Sequence, residues 1–72
     1  MKDNVVHQFG AHVRALRKKY DLTQEELAGR SRISLKYIQK IEGKDPQNPS
    51  LEILEKLADG FDLPLWKLVK FE

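Results

Sequence analysis

The outward side of one short predicted helix holds the residues best suited to engage a partner. Ser34 opens that helix as an N-cap, Ile38 and Ile41 turn to one side of it, and Gly43 stands just past its end as a stop. Projected at about 100° per residue, the side opposite the isoleucines carries Lys36 and Lys40, flanked by Gln39 and Leu35, and no acid. Lysine donates to guanine O6 and N7, glutamine pairs bidentately with adenine N6 and N7, and leucine touches a thymine methyl. A merely solvated face ordinarily mixes charge signs, so this one is the candidate for reading base edges in a DNA groove.

Other chemistries have little behind them. The chain has no cysteine, which removes disulfides, thiolate metal sites and cysteine nucleophiles. His7 and His12 stand five apart, on different faces of a helix rather than at the i, i+4 spacing of a metal pair, and read as plain surface histidines. There is no phosphate-binding glycine motif, and the one polar loop lacks a base and nucleophile pair. No enzyme activity, cofactor, metal or small-molecule substrate is expected.

Length sets further bounds. Seventy-two residues, 40% hydrophobic and 33% charged, suit one small domain spanning residues 1–72. A chain of this size buries only about 60% of the surface its unfolded form exposes, so a partner subunit would supplement a thin core. No apolar run approaches the roughly 18–20 residues that span a bilayer, and the opening MKDNVVHQFG lacks the apolar stretch of a signal peptide. The expectation is a cytoplasmic protein with no membrane partner.

The net charge of +2 conceals a segregation. Residues 1–40 hold nine basic and four acidic side chains, while residues 41–72 hold four basic and seven acidic ones. A basic first half suits presentation of one end to a polyanion.

The elements that position these residues are helical. Val6, Phe9, Val13 and Leu16 form one stripe of a first helix, roughly 3–19, whose opposite face carries Arg14 and Lys18 and whose last turn holds Arg17, Lys18 and Lys19. Thr23-Gln24-Glu25-Glu26 reads as a capping box opening a second helix that runs to about Gly29 or Arg30. The third is the helix of Lys36 and Lys40. After the loop Lys44-Asp45-Pro46-Gln47-Asn48-Pro49, Ser50 caps a fourth helix with Leu51, Leu54, Leu57, Ala58 and Phe61 at helical spacing, broken at Gly60. Pro64 suits the first turn of a short fifth helix, about 63–70, whose buried side is Leu65, Leu68 and Val69. No strand pattern occurs, so the fold expected is a compact five-helix, all-α domain. Two short capped helices joined by a tight turn, the second and third, outline a helix-turn-helix.

Residues 23–43, TQEELAGRSRISLKYIQKIEG, resemble the helix-turn-helix of the Cro/phage-repressor (XRE-like) family of bacterial regulators. The likeness continues on both sides: FGAHVRALRKKYDLTQEELA resembles that family's first helix, and NPSLEILEKLADGFDLPLWKLV its fourth and fifth. It implies a lambda-repressor-like fold, binding to a palindromic operator in double-stranded DNA as a homodimer, and transcriptional regulation. Leu35, Lys36 and Lys40 fall where relatives reach base edges, with Gln39 beside them. Gln24 matches a glutamine that bonds a DNA phosphate, and Tyr37 lies where a hydroxyl reaches one. Arg14, Lys44 and Asn48 are further backbone-contact candidates. Arg17 and Glu42 match a structural salt bridge between the first and third helices. At the turn, Arg32 stands where relatives often have Gly; a positive φ there costs roughly 1–2 kcal/mol, and the charge compensates near a phosphate.

Trp66 lies off the stripe of the fifth helix, which points to a dimer contact through Leu65, Trp66 and Val69. A twofold dimer spaces two reading helices about 34 Å apart, one turn of DNA. With no room for an effector or cleavage domain, the chain resembles small phage-type repressors and restriction-modification controllers. The competing reading is a protein-interaction module that keeps the fold without binding DNA.

Overall fold

Three hydroxyl side chains start three of the helices. A computed structural model describes residues 5–44 and 46–71 and shows α1 (Val5–Lys19), α2 (Gln24–Ser31), α3 (Leu35–Ile41), α4 (Leu51–Gly60) and α5 (Leu65–Leu68), with no strand among the described residues. Residues 3 and 4, expected to begin the first helix, lie outside the described residues. At α2 the Glu26 amide donates to Thr23 Oγ1 at 3.0 Å while the Thr23 amide donates to the Glu26 carboxylate at 2.8 Å, a complete capping box. Ser34 accepts from the Tyr37 amide, and Ser50 from the Ile53 amide, each at 3.1 Å. Each hydroxyl satisfies one of the amides a helix start leaves unpaired.

Three helices end by one device. Asp21, Arg32 and Asp62 take left-handed conformations, φ 59°, 61° and 58°. The residue after each donates back five positions: Leu22 to the Arg17 carbonyl (2.8 Å), Ile33 to Ala28 (3.1 Å) and Leu63 to Ala58 (2.8 Å). These are Schellman closures, and the apolar residue that follows each turn packs on the core. None of the three uses glycine. The expected glycine stops are therefore corrected: Gly43 has no positive φ, and Gly60 is the last residue of α4, with Asp62 ending it two residues later. Gly60 is needed for space, since a Cβ there would lie 2.9 Å from Ser31 Cβ.

Arg32 thus carries the strain expected of it. Replacing it with glycine removes about 1–2 kcal/mol of left-handed strain while the freer unfolded chain takes back about 0.4–1. Arg32→Gly should therefore raise the melting temperature by a few degrees, roughly 4–8 °C per kcal/mol at this size. A lower melting temperature would show that the arginine side chain contributes more than its backbone costs.

The core is Phe9, Val13, Leu27, Ala28, Ile33, Ile38, Ile41, Leu57, Ala58, Phe61 and Leu68. Helix α2 packs on α4 and α3, α5 on α4, and α1 on α3. Three expectations at the far end change, the first being Val69, placed on the buried side of the fifth helix but 41% exposed just past the end of that single turn. Helix α5 is a single turn with Pro64 as its N-cap rather than inside its first turn. Leu51, placed in the apolar stripe of α4, is 71% exposed, as the first residue of the helix, ahead of the Ile53, Leu54 and Leu57 that meet the core.

Candidate nucleic-acid interface

One carboxylate joins the parts that aim α3. Glu42, the C-cap of α3, has a side chain only 4% exposed and receives Arg17 Nε at 2.9 Å and Nη2 at 3.0 Å, a bidentate fork from α1. Arg17 Nη1 also donates to the Leu22 carbonyl at 3.0 Å, and Gln24 Nε2 donates to Glu42 Oε1 at 3.2 Å. An anion at a helix carboxyl end opposes the helix dipole, so the arginine is what makes Glu42 tolerable there. The hydrogen bond to Glu42 pushes the Arg17 guanidinium above its ordinary pKa, burial works against this, and the charges of Glu42 and Glu25 add to it. A raised cation loses its contribution only as pH rises through its own titration, so deprotonation of Arg17 does not release the fork below the guanidinium's ordinary pKa. The end of α1, the α1–α2 turn, the start of α2 and the end of α3 are thereby fixed to one another.

The tight turn and the Ser34 cap then set the outward face of α3. Lys36, Gln39 and Lys40 are exposed, and neither lysine forms an ion pair among the described residues. Leu35 is half-buried against the core, so only part of it remains for a groove. Tyr37 is also half-buried and packs on the core from the flank. If the lysines meet bases, Lys36→Ala and Lys40→Ala should each weaken binding to the preferred DNA by roughly 1–3 kcal/mol and relax preference at single base pairs. Equal losses on every sequence would make them phosphate contacts.

The remaining candidates are dispersed. Gln24, at the start of α2, is half-buried with its amide on Glu42. Arg14 and Lys44 are exposed. Arg32 lines a polar recess with Arg30, Ser31, Lys56 and Asp59, between the end of α2 and α4, and Arg30 Nε is tied to the Gly60 carbonyl at 3.0 Å. Asn48 lines an apolar groove with Val5, Val6, Phe9, Pro49, Leu54, Val69 and Phe71, beside the chain's tail. Trp66 is 64% exposed and Val69 41%, while Leu65 is half-buried.

Of the two histidines expected at the surface, His7 is exposed and His12 is not. His12 is half-buried and stacks on Phe71 with ring centroids 5.1 Å apart; its Nε2 is covered and finds no hydrogen-bond partner among the described residues. The tail causes this by folding Phe71 over α1, where it also meets Phe9 at 5.9 Å. His7 lies with Nε2 2.6 Å from the Lys44 carbonyl oxygen. Spacing gave no sign of either contact, since both join segments far apart in the chain.

The helix-turn-helix family model matches residues 13–65. The chain is 37% identical over 60 residues to the immunity repressor protein of Bacillus phage phi105; this covers 83% of the chain but 41% of that protein, so the chain spans about two-fifths of that relative's length. Among solved structures, it resembles the restriction-modification controller protein C.AhdI from Aeromonas hydrophila, with a TM-score of 0.80, 33% identity and coverage of 88% of this chain and 94% of that one. It is also similar to the N-terminal DNA binding domain of SinR from Bacillus subtilis, with a TM-score of 0.80, 27% identity and coverage of 92% and 96%.

Proposed function

This chain belongs to the helix-turn-helix family of the Cro/phage-repressor (XRE-like) type, and from that premise we infer that it is a sequence-specific DNA-binding regulator of transcription. The reading face of α3 lies in the major groove, flanking cations and amides hold phosphates, and regulation follows from occupancy of the site. The observation that carries this is the acid-free exposed face of Lys36, Gln39 and Lys40 on a helix whose far end is clamped by the Arg17–Glu42 fork. A clamped helix meets a groove without first ordering itself, which saves part of the cost of association.

The family is one of DNA-binding regulators rather than enzymes, and no described helix is long and apolar enough to cross a membrane. The protein works in the cytoplasm, where its DNA is. It binds as a homodimer, which a palindromic operator requires. The exposed Trp66 and Val69, with Leu65 behind them, supply the contact, and Trp66 alone offers roughly 150–250 Å² to it. Its action resembles that of the phage repressor and the restriction-modification controller to which it is similar.

A titration of labelled duplex DNA at several salt concentrations tests this. Each neutralised phosphate contributes about −0.9 to the slope of log K against log salt, so a dimer with several contacts per subunit should give a steep line. A flat line, with no preference among duplexes recovered by selection from a random pool, overturns the reading and leaves a protein-interaction module.

A further inference from the structure

Three residues of α1 hold the carboxyl end of the reading helix by three kinds of contact. His7, Gly10 and Arg17 lie at i, i+3 and i+10, on one stripe of α1, with the exposed Arg14 at i+7 between them. Arg17 grips Glu42 through the fork at 2.9 Å. Gly10 admits the Ile41 main chain, because a Cβ at that position would run into the Ile41 carbonyl oxygen. His7 Nε2 meets the Lys44 carbonyl oxygen at 2.6 Å, and since a carbonyl only accepts, the ring nitrogen carries the hydrogen. The first helix is thus a splint along residues 41–44.

Resting on the DNA-binding reading above, we propose that His7 is a positioning residue for a DNA backbone contact, fixing the main chain of Lys44 so that its ammonium group meets a phosphate beside the end of α3. Past α3, the Gly43 amide still donates to the Lys40 carbonyl at 3.2 Å, but no backbone–backbone hydrogen bond among the described residues involves Lys44. The imidazole therefore ties the loop at the point where helical bonding stops. Lysine is a point charge on a flexible stem, so the main chain beneath it decides where the charge is delivered. A loop ordered before binding loses less freedom when the phosphate is met. Because His7 is exposed and outside the core, this effect is separable from folding.

The test compares wild type with His7→Ala, His7→Gln, Lys44→Ala and the His7→Ala/Lys44→Ala pair, by fluorescence anisotropy on a random-sequence duplex and on a duplex recovered by selection, at several salt concentrations. His7→Ala should weaken binding roughly two- to ten-fold on both duplexes, the range of one net hydrogen bond. Its salt slope should be shallower by about 0.9 per subunit, with the melting temperature unchanged. His7→Gln, whose amide still donates, should recover most of the affinity, and the pair should bind no worse than Lys44→Ala alone. A steep wild-type slope with undiminished His7→Ala binding overturns the role of His7 and leaves the DNA reading intact. So does additivity in the pair, or a loss that tracks a fall in melting temperature. A flat wild-type slope overturns both.

Discussion

Glu42→Ala should lower the stability of this chain by roughly 3–5 kcal/mol, the cost of leaving one partner of a buried ion pair alone. Arg17 would keep its bond to the Leu22 carbonyl but lose both oxygens of its fork, and the Gln24 amide would lose its acceptor. Stability of about 0.05–0.15 kcal/mol per residue leaves a chain of this length roughly 4–11 kcal/mol in all. The loss would therefore lower the melting temperature by more than 10 °C, at about 4–8 °C per kcal/mol. Differential scanning calorimetry reads it directly, and an unchanged melting temperature would mean that water screens the fork in solution. The double change Arg17→Met with Glu42→Leu separates charge from shape, because apolar replacements of a buried pair are often neutral or stabilising. That variant should melt near wild type yet bind DNA less well, since nothing then holds Gln24 at the start of α2. Full affinity in the double variant would show that the fork serves folding alone.

The elements that sequence made legible are those fixed by local chemistry. Thr23, Ser34 and Ser50 start helices because a hydroxyl and an amide three residues on need no tertiary partner to find one another. Helix ends were read less well for the converse reason. Left-handed closure is usually signalled by glycine, and here it falls on Asp21, Arg32 and Asp62. The apolar residue after each one, Leu22, Ile33 or Leu63, draws the turn onto the core, and burial outweighs the strain of the residue before it. The glycines were free for a different task, the close approach of Gly10 to Ile41 and of Gly60 to Ser31, which depends on contacts that no local pattern encodes.

The candidate interface divides along the same line. The face of Lys36, Gln39 and Lys40 follows from helical projection alone, and those side chains are exposed as projected. Leu35 projects to the same side, yet as the first residue after the Ser34 cap it is drawn half under, onto the core. The pairing of Arg17 with Glu42 came from resemblance, since no spacing rule joins residues 25 positions apart. The bond from His7 to Lys44 and the stack of His12 on Phe71 lay beyond both kinds of reasoning, because each depends on where a loop or a tail comes to rest.

Leu68→Ala and Trp66→Glu, neighbours on one turn of helix, should fail in different ways. Four residues are far too few to hold a helix by backbone bonding, so α5 exists because Leu68, 0% exposed, is pinned in the core beside α4. Truncating a leucine so placed costs roughly 2–5 kcal/mol, and here the cavity would also release the turn that carries Leu65, Trp66 and Val69. Leu68→Ala should therefore lower both the melting temperature and the dimer population. Trp66 is 64% exposed and its loss removes little from the core, so Trp66→Glu should leave the monomer fold nearly as stable while charge across a twofold axis separates the copies. Sedimentation over a concentration series gives the mass, and far-ultraviolet circular dichroism the fold. Because two reading helices on one dimer share a single association cost, loss of the dimer should reduce operator affinity far more than affinity for a half-site. A Trp66→Glu protein that remains dimeric would move the contact to another exposed apolar residue, among them Val5, Tyr20 and Leu51.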